Sequence, residues 1–180
     1  MKIVAFTGMP LSGKSEAVKL AEDQSIPVIR MGDFVWEETK HQGFELNDKN
    51  VGTIANSMRE KYGMDIWAKR TTEKIKKIKK TNLLVIDGVR NKEEIDFFKK
   101  ELGNDFVVIA ITASDDMRRQ RAFSRKRVDD GATKHSFEER DKRELHWGLS
   151  GVIASADIII SNEKDMKSFQ QHVQKILQQL

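Results

Sequence analysis

The sequence predicts an α/β fold in which five parallel strands form one sheet with helices on both faces. Short runs rich in β-branched residues alternate along the chain with longer stretches whose apolar residues recur at helical spacing. The short runs are apolar at nearly every position, which is typical of strands buried on both faces of a parallel sheet. They predict strands at residues 2–7, 27–30, 82–87, 106–112 and 156–161.

Amphipathic stretches between and after these runs predict the helices. In each stretch the apolar residues lie three or four positions apart, so they share one helix face. Three such stripes consist of Val51, Ile54, Ala55, Met58 and Tyr62; of Trp67, Thr71, Ile75 and Ile78; and of Met166, Phe169, Val173, Ile176, Leu177 and Leu180.

The composition is that of a single domain spanning residues 1–180, with 38% hydrophobic and 33% charged residues. A net charge of +4 suits anionic ligands such as nucleotides but does not by itself argue for DNA or RNA. The lysine-rich run at 73–81 is interpreted as the solvated face of a helix, because its isoleucines keep helical spacing. This interpretation disfavours nucleic acid as a partner.

Several other classes of site are excluded or disfavoured. The absence of cysteine excludes disulfides and cysteine-based metal sites, and the four histidines lack zinc-ligand spacing. No apolar run approaches the roughly 20 residues needed to cross a bilayer. With no cleavable signal recognised ahead of the first strand, we expect a cytoplasmic protein without membrane contact, either monomer or homodimer.

The segment GMPLSGKS at residues 8–15 matches the phosphate-binding pattern G-x-x-x-x-G-K-[ST]. It follows a predicted strand and opens a predicted helix, as this motif requires. Lys14 should reach the β- and γ-phosphates of ATP, Ser15 should bind Mg²⁺, and Leu11, where many kinases have glycine, is interpreted as tolerated. We expect the whole loop to contact the nucleotide: Gly8, Met9, Pro10, Leu11, Ser12, Gly13, Lys14 and Ser15. Together with the predicted parallel sheet, this motif predicts a three-layer P-loop NTPase fold.

Asp87 stands at the carboxyl end of the third predicted strand, the edge at which open α/β sheets bind ligands. A carboxylate there can hold Mg²⁺, usually through water. The alternative is that Asp87 only caps the following helix. Gly88 would allow a sharp turn, after which Arg90 would lie beside the phosphates.

Arginines concentrate in residues 115–130 and again at 137–145. Phosphoryl transfer needs positive charge around the migrating group, and arginine supplies it in a planar fork that stays charged. A short lid at about 118–135 could carry this charge and exclude water. Arg121, Arg127 and Arg140 are the candidates for stabilising the phosphoryl, with Arg121 also contacting the donor. The alternative is a charged surface helix with internal ion pairs.

These segments resemble nucleoside monophosphate kinases of the adenylate kinase type, above all the adenylate kinase-related P-loop kinases found mainly in archaea. Dephospho-CoA kinase is a more distant resemblance. The similar segments are GMPLSGKS at the phosphate loop, MGDFV at 31–35, IDGVR at 86–90, RVDD at 127–130 and SADIIISNE at 155–163.

The resemblance implies an acceptor-binding helical insert at about 32–80. Adenylate kinases carry an acceptor-binding arginine three residues after the aspartate of the Gly-Asp pair, but this chain has Trp36 there. Its ring either packs in the core or lines the acceptor pocket, where a base could stack. The short spacing of the arginines also leaves no room for a separate zinc-bearing lid. The expected acceptor side consists of Asp33, Trp36, Arg59, Arg70 and Arg90.

We therefore expect an ATP- and Mg²⁺-dependent kinase whose acceptor is nucleotide-like, most simply AMP. Dephospho-CoA kinase chemistry is an alternative function. There the acceptor is a ribose hydroxyl, and Asp33 would act as the base. A third possibility is a slow nucleotide-dependent assembly factor associated with RNA or ribosomes. A GTPase switch is disfavoured because the sequence has no N-K-x-D stretch.

Overall fold

The computed structural model describes residues 1–78, 81–124 and 134–180. Its sheet has five parallel strands in the order β2-β3-β1-β4-β5. The prediction of a five-stranded parallel sheet is confirmed, although three strands begin one or two residues later than the sequence indicated. The strands are β1 (Lys2–Thr7), β2 (Val28–Arg30), β3 (Leu83–Asp87), β4 (Phe106–Thr112) and β5 (Ile158–Ser161).

Helices follow each strand, as expected for right-handed βαβ connections. Three of them, α2, α3 and α4, lie between β2 and β3, and α6 and α7 flank residues 125–133. The described helices are α1 (Lys14–Asp23), α2 (Met31–His41), α3 (Asp48–Tyr62), α4 (Ile66–Ile75), α5 (Lys92–Leu102), α6 (Asp115–Ser124), α7 (Lys134–His146), α8 (Leu149–Ala154) and α9 (Met166–Gln179), with a 3₁₀ turn at Gly103–Asp105.

Two apolar cores lie on the two faces of the sheet because successive side chains of a strand point in opposite directions. Ile3 and Ala5 face the core under α2–α5, whereas Val4 and Phe6 face the core under α1 and α9. The result is the three-layer arrangement that the sequence predicted. Two members of the predicted stripes are exposed: Tyr62 at 48% and Met166 at 50%, each at one end of its helix.

The topology brings the carboxyl ends of β1 and β3 side by side, with Phe6 paired to Asp87. In open α/β sheets this edge is where ligands bind. None of the helices in the described ranges is long and apolar enough to cross a membrane.

Candidate functional site

The phosphate loop joins β1 to α1, and its two glycines are required by close packing. Gly8 has φ 151° and Gly13 has φ 109°, values that side-chain-bearing residues rarely adopt. A Cβ atom on Gly8 would lie 2.4 Å from the carbonyl oxygen of Ile111, and one on Gly13 would lie 2.1 Å from Nδ2 of Asn162. The protein itself, as well as an incoming phosphate, therefore excludes side chains at both positions.

Leu11 adopts φ 65°, in the left-handed region that glycine favours. For other L-residues this conformation costs roughly 1–2 kcal/mol. Leucine is accommodated at this position, but with backbone strain that the rest of the loop must offset.

Arginines of α6 bind the outward-facing carbonyls of the loop. Arg118 donates to the carbonyl oxygen of Pro10 (3.1 Å), and Arg121 donates to those of Leu11 and Ser12 (both 3.1 Å). Asn162 also donates to the Ser12 carbonyl (2.8 Å). The Arg121 side chain therefore lies against the back of the loop and outside the lining of the cleft. Its expected contact with the donor phosphates stays a prediction.

A cleft of about 610 Å³ opens in front of the loop, between the start of α2, one face of α3, the end of β3 and α7. It brings most of the predicted site residues together, while Gly8 and Ser12 lie in the loop behind its wall and Arg70 and Arg121 lie outside its lining. Arg127 lies outside the described residues. The predicted residues that line the cleft are Met9, Pro10, Leu11, Gly13, Lys14, Ser15, Asp33, Trp36, Arg59, Asp87, Arg90 and Arg140.

Lys14 and Asp87 are in direct contact at the head of the cleft, Nζ to Oδ1. Ser15 lines the same wall at the first turn of α1. Mg²⁺ in kinases is held by one or two protein oxygens together with the phosphates of the substrate. The hydroxyl of Ser15 and the carboxylate of Asp87 fit that role, and Lys14 fits the role of a phosphate ligand.

Arg59 and Glu94 form a buried ion pair at the base of the cleft, with 3.2 Å between Nη2 and Oε1. Glu94 is completely buried and also accepts a hydrogen bond from the backbone N–H of Arg90 (2.8 Å). Burial raises the pKa of Glu94, and the neighbouring Arg59 opposes that shift. Nε and Nη1 of Arg59 have no hydrogen-bond partner in the described part of the chain.

Trp147 is the centre of an arginine cluster that sequence reasoning did not identify. The guanidinium groups of Arg59, Arg90 and Arg143 lie 4.7, 5.1 and 5.8 Å from its ring centre. Its indole N–H donates to Oδ1 of Asn56 on α3 (2.5 Å). Trp147 thus packs the end of α7 against the acceptor-side helix.

Two further ion pairs connect α7 with the rest of the cleft. Arg143 binds Asp48 at the start of α3 through two hydrogen bonds of 2.8 and 2.9 Å, and Glu144 contacts Arg90. The sequence does contain a pattern that could have indicated this side of the cleft. Residues three, four and seven positions apart in a helix share one face. Residues 140, 143, 144 and 147 follow that spacing.

The acceptor-side predictions divide into exposed and anchored residues. Trp36 is 53% exposed on the cleft wall, so the alternative that it packs in the core is wrong. Asp33 is also exposed there, and no ion pair or side-chain hydrogen bond holds it among the residues described. Arg70 instead pairs with Glu38 (2.8 Å) and lies over the Trp67 ring (5.2 Å), away from the cleft lining.

The sequence profile of the AAA domain family matches residues 7–138. A UPF0200/UPF0201 protein of Archaeoglobus fulgidus is 42% identical over 100% of this chain, which spans 56% of that protein's length. UPF0200 proteins of Thermoplasma volcanium and Methanosarcina barkeri are 43% and 41% identical, over 97% and 98% of this chain and 96% and 95% of theirs.

Solved structures with the same fold share little sequence with this chain. The protein TT1252 of Thermus thermophilus has a TM-score of 0.65 at 15% identity, over 99% of this chain and 97% of that one. A gluconokinase of Sinorhizobium meliloti has 0.61 at 13% identity, over 99% and 92%. Shikimate kinase of Aquifex aeolicus has 0.54 at 18% identity, over 98% and 96%. These likenesses establish the fold as that of P-loop kinases.

Proposed function

Because the chain belongs to the AAA domain family and to the UPF0200 group of archaeal proteins, we propose that it is an ATP- and Mg²⁺-dependent phosphotransferase. It moves the γ-phosphoryl group of ATP to a nucleotide-like acceptor, with AMP or another nucleoside monophosphate as the first candidate. The observation that carries this proposal is the contact between Lys14 and Asp87 at the head of a cleft whose far wall bears arginines.

The donor end consists of the phosphate loop and Asp87. Mg²⁺, when bound, neutralises charge on the phosphates during transfer. Lys14 binds the donor phosphates, and the N–H groups at the start of α1 orient them. Ser15 and Asp87 supply the oxygens for the metal.

The acceptor end is supported by the charge of the cleft wall. Arg59, Arg90 and Arg140 line the cleft together with the phosphate loop. A phosphate acceptor is already anionic at neutral pH, so it needs positive charge and no base. In this proposal residues 32–80 form the acceptor-binding insert, residues 118–135 form the lid, and the Trp36 ring offers a surface for a base.

A hydroxyl acceptor, as in dephospho-CoA kinase chemistry, is the second candidate. It is favoured by Asp33, an exposed carboxylate on the cleft wall with no ion-pair partner among the described residues. Such a carboxylate could take the proton of an attacking hydroxyl. Asp33→Asn separates the two candidates: it should abolish transfer to a hydroxyl but leave most of the transfer to a phosphate.

The experiment is a panel of acceptors incubated with ATP and Mg²⁺ and analysed by nucleotide separation. The panel contains the nucleoside monophosphates and dephospho-CoA, together with shikimate and gluconate, after which two of the structural neighbours are named. A reaction without acceptor measures hydrolysis, and Lys14→Ala controls for contaminating kinases. Failure of every acceptor to give a phosphorylated product above the hydrolysis level would contradict the proposal.

A further inference from the structure

Arg118 is a buried arginine that the proposed reaction does not use. It is 2% exposed and lies on α6, outside the lining of the cleft. Burying a guanidinium is costly unless it is paired and hydrogen-bonded, so its partners indicate its role. Those partners belong to three parts of the chain.

The first partner is the phosphate loop. Arg118 donates to the Pro10 carbonyl (3.1 Å), next to the two carbonyls that Arg121 binds. A loop whose N–H groups turn inward toward phosphate must turn carbonyls outward, and those carbonyls need donors when they are buried. Arg118 and Arg121 supply them at residues 10, 11 and 12.

The second and third partners lie on α7 and on α6 itself. Arg118 forms two hydrogen bonds to Asp141 of α7 (2.8 and 2.6 Å) and one to Asp115, and its guanidinium lies 5.1 Å from the Phe137 ring centre. Burial lowers the pKa of Arg118, but the hydrogen bonds to Asp141 and Asp115 outweigh it and raise the pKa above its ordinary value. The charge of this group is therefore held in place.

The helix that Asp141 belongs to also carries the arginine wall of the cleft, Arg140 and Arg143. One buried guanidinium consequently touches both the loop and the helix of the opposite wall. We propose that Arg118 is a positioning residue that couples the conformation of the phosphate loop to the position of α7, through Asp141. The inference rests on the proposed function only for the identity of the loop's ligand, a nucleoside phosphate.

The coupling can be tested first without nucleotide. Asp141→Asn weakens the pair without changing any residue of the loop. The readout is the amide hydrogen exchange of Met9, Leu11, Ser12 and Gly13 in the ligand-free protein. We expect the loop amides to exchange several-fold faster. One of them is the Ser12 amide, which donates a hydrogen bond to the Met9 carbonyl (3.1 Å). Faster exchange in α7 with an unchanged loop would mean that Asp141 only fastens α7 to α6, and would overturn the proposal.

A matched control lies on the same two helices, one residue from Arg118 and three residues from Asp141. Arg119 and Glu138 also join α6 to α7, at 3.6 Å, but both are 38% exposed and neither hydrogen-bonds to the loop in the described structure. Glu138→Gln should leave the amide exchange of Met9, Leu11, Ser12 and Gly13 unchanged. Equal effects of Glu138→Gln and Asp141→Asn would also overturn the proposal.

The second measurement is the affinity for ADP with Mg²⁺. Asp141→Asn should weaken ADP binding about tenfold although Asp141 lies outside the cleft lining, and Arg118→Lys should weaken it at least as much. Thermal unfolding establishes that each variant is folded. Wild-type protein that does not bind ADP would count against the proposed function, whereas normal ADP binding by a folded Asp141→Asn would count against the coupling alone.

Discussion

The ammonium of Lys14 contacts the carboxylate of Asp87 across the adjoining carboxyl ends of β1 and β3. The two side chains are 24% and 16% exposed, so they face the cleft rather than bulk water. In the ligand-free protein the ammonium and the carboxylate neutralise each other's charge. In the proposed reaction Lys14 would bind the phosphates of ATP and Asp87 would hold the metal, so the ion pair keeps both side chains in place for the nucleotide.

Replacing Lys14 by alanine should abolish phosphoryl transfer and leave the fold intact. Loss of one charged contact in a preorganised site commonly lowers kcat by about a hundredfold or more. The measurement is turnover with the best acceptor of the panel, together with thermal unfolding. Lys69→Ala is the matched control, because Lys69 also pairs with an aspartate (Asp65, 2.8 Å) but on the surface. Wild-type turnover in a folded Lys14→Ala protein would rule out the kinase proposal.

The buried pair of Arg59 and Glu94 leads to a prediction about stability. Arg59→Ala should lower the free energy of unfolding by about 3–5 kcal/mol, because it leaves the carboxylate of Glu94 buried without its partner. Urea denaturation measures this change. The double variant Arg59→Met/Glu94→Gln removes both charges, and its glutamine can still accept from the Arg90 N–H. It should recover most of the loss; no recovery would mean that the pairing is not the cause.

The fold and the phosphate loop could be predicted because their signals are local. Apolar runs mark the strands, and the loop motif between strand and helix fixes Lys14, Ser15 and the glycines. The partners of the arginines could not be predicted in this way. Glu94 meets Arg59 from 35 positions away, and Trp147 meets it only because α7 packs on α3. Such contacts depend on tertiary packing, which residue type and spacing do not encode by themselves.

Arg140 and Arg127 should act mainly on the transition state. Alanine at either position should lower kcat more than it weakens ATP binding, because the charge is needed most while the phosphoryl group moves. Arg140 lines the cleft, whereas Arg127 lies outside the described residues. Steady-state kinetics with varied ATP measures both parameters. An effect confined to KM would make these arginines binding residues. No effect on either parameter would favour the alternative that the arginine-rich segment is a charged surface helix.

Leu11 offers a test of backbone strain in the loop. Its φ of 65° is accessible to glycine at little cost but is unfavourable for alanine. Leu11→Gly should therefore be more stable than Leu11→Ala by about 1 kcal/mol in thermal or urea unfolding. The two variants lose nearly the same side-chain contacts, so their difference isolates the backbone. If the alanine variant is the more stable one, the left-handed conformation at residue 11 is not populated in solution.

Trp36 is the position at which the chain departs from the adenylate kinase pattern. Its ring is 53% exposed on the cleft wall, so Trp36→Phe should change the free energy of unfolding by less than about 0.5 kcal/mol. Stacking of a base on an aromatic ring contributes roughly 1–3 kcal/mol. If the acceptor base stacks there, Trp36→Ala should weaken acceptor binding about tenfold or more with little effect on ATP binding.

Fluorescence can locate that contact, because the chain has only three tryptophans and the other two, Trp67 and Trp147, are 1% and 6% exposed. Adding the acceptor should change the emission of the wild-type protein, and Trp36→Phe should remove most of that change. A response that persists in Trp36→Phe would assign the signal to Trp67 or Trp147, which also line the cleft, and would exclude Trp36 as the reporter. Trp36→Arg is the complementary variant, since it places an arginine at the position where adenylate kinases carry one. Improved use of AMP by Trp36→Arg would indicate that the cleft holds a nucleoside monophosphate with its phosphate near residue 36, whereas loss of AMP use would indicate that the wild-type ring itself binds the acceptor.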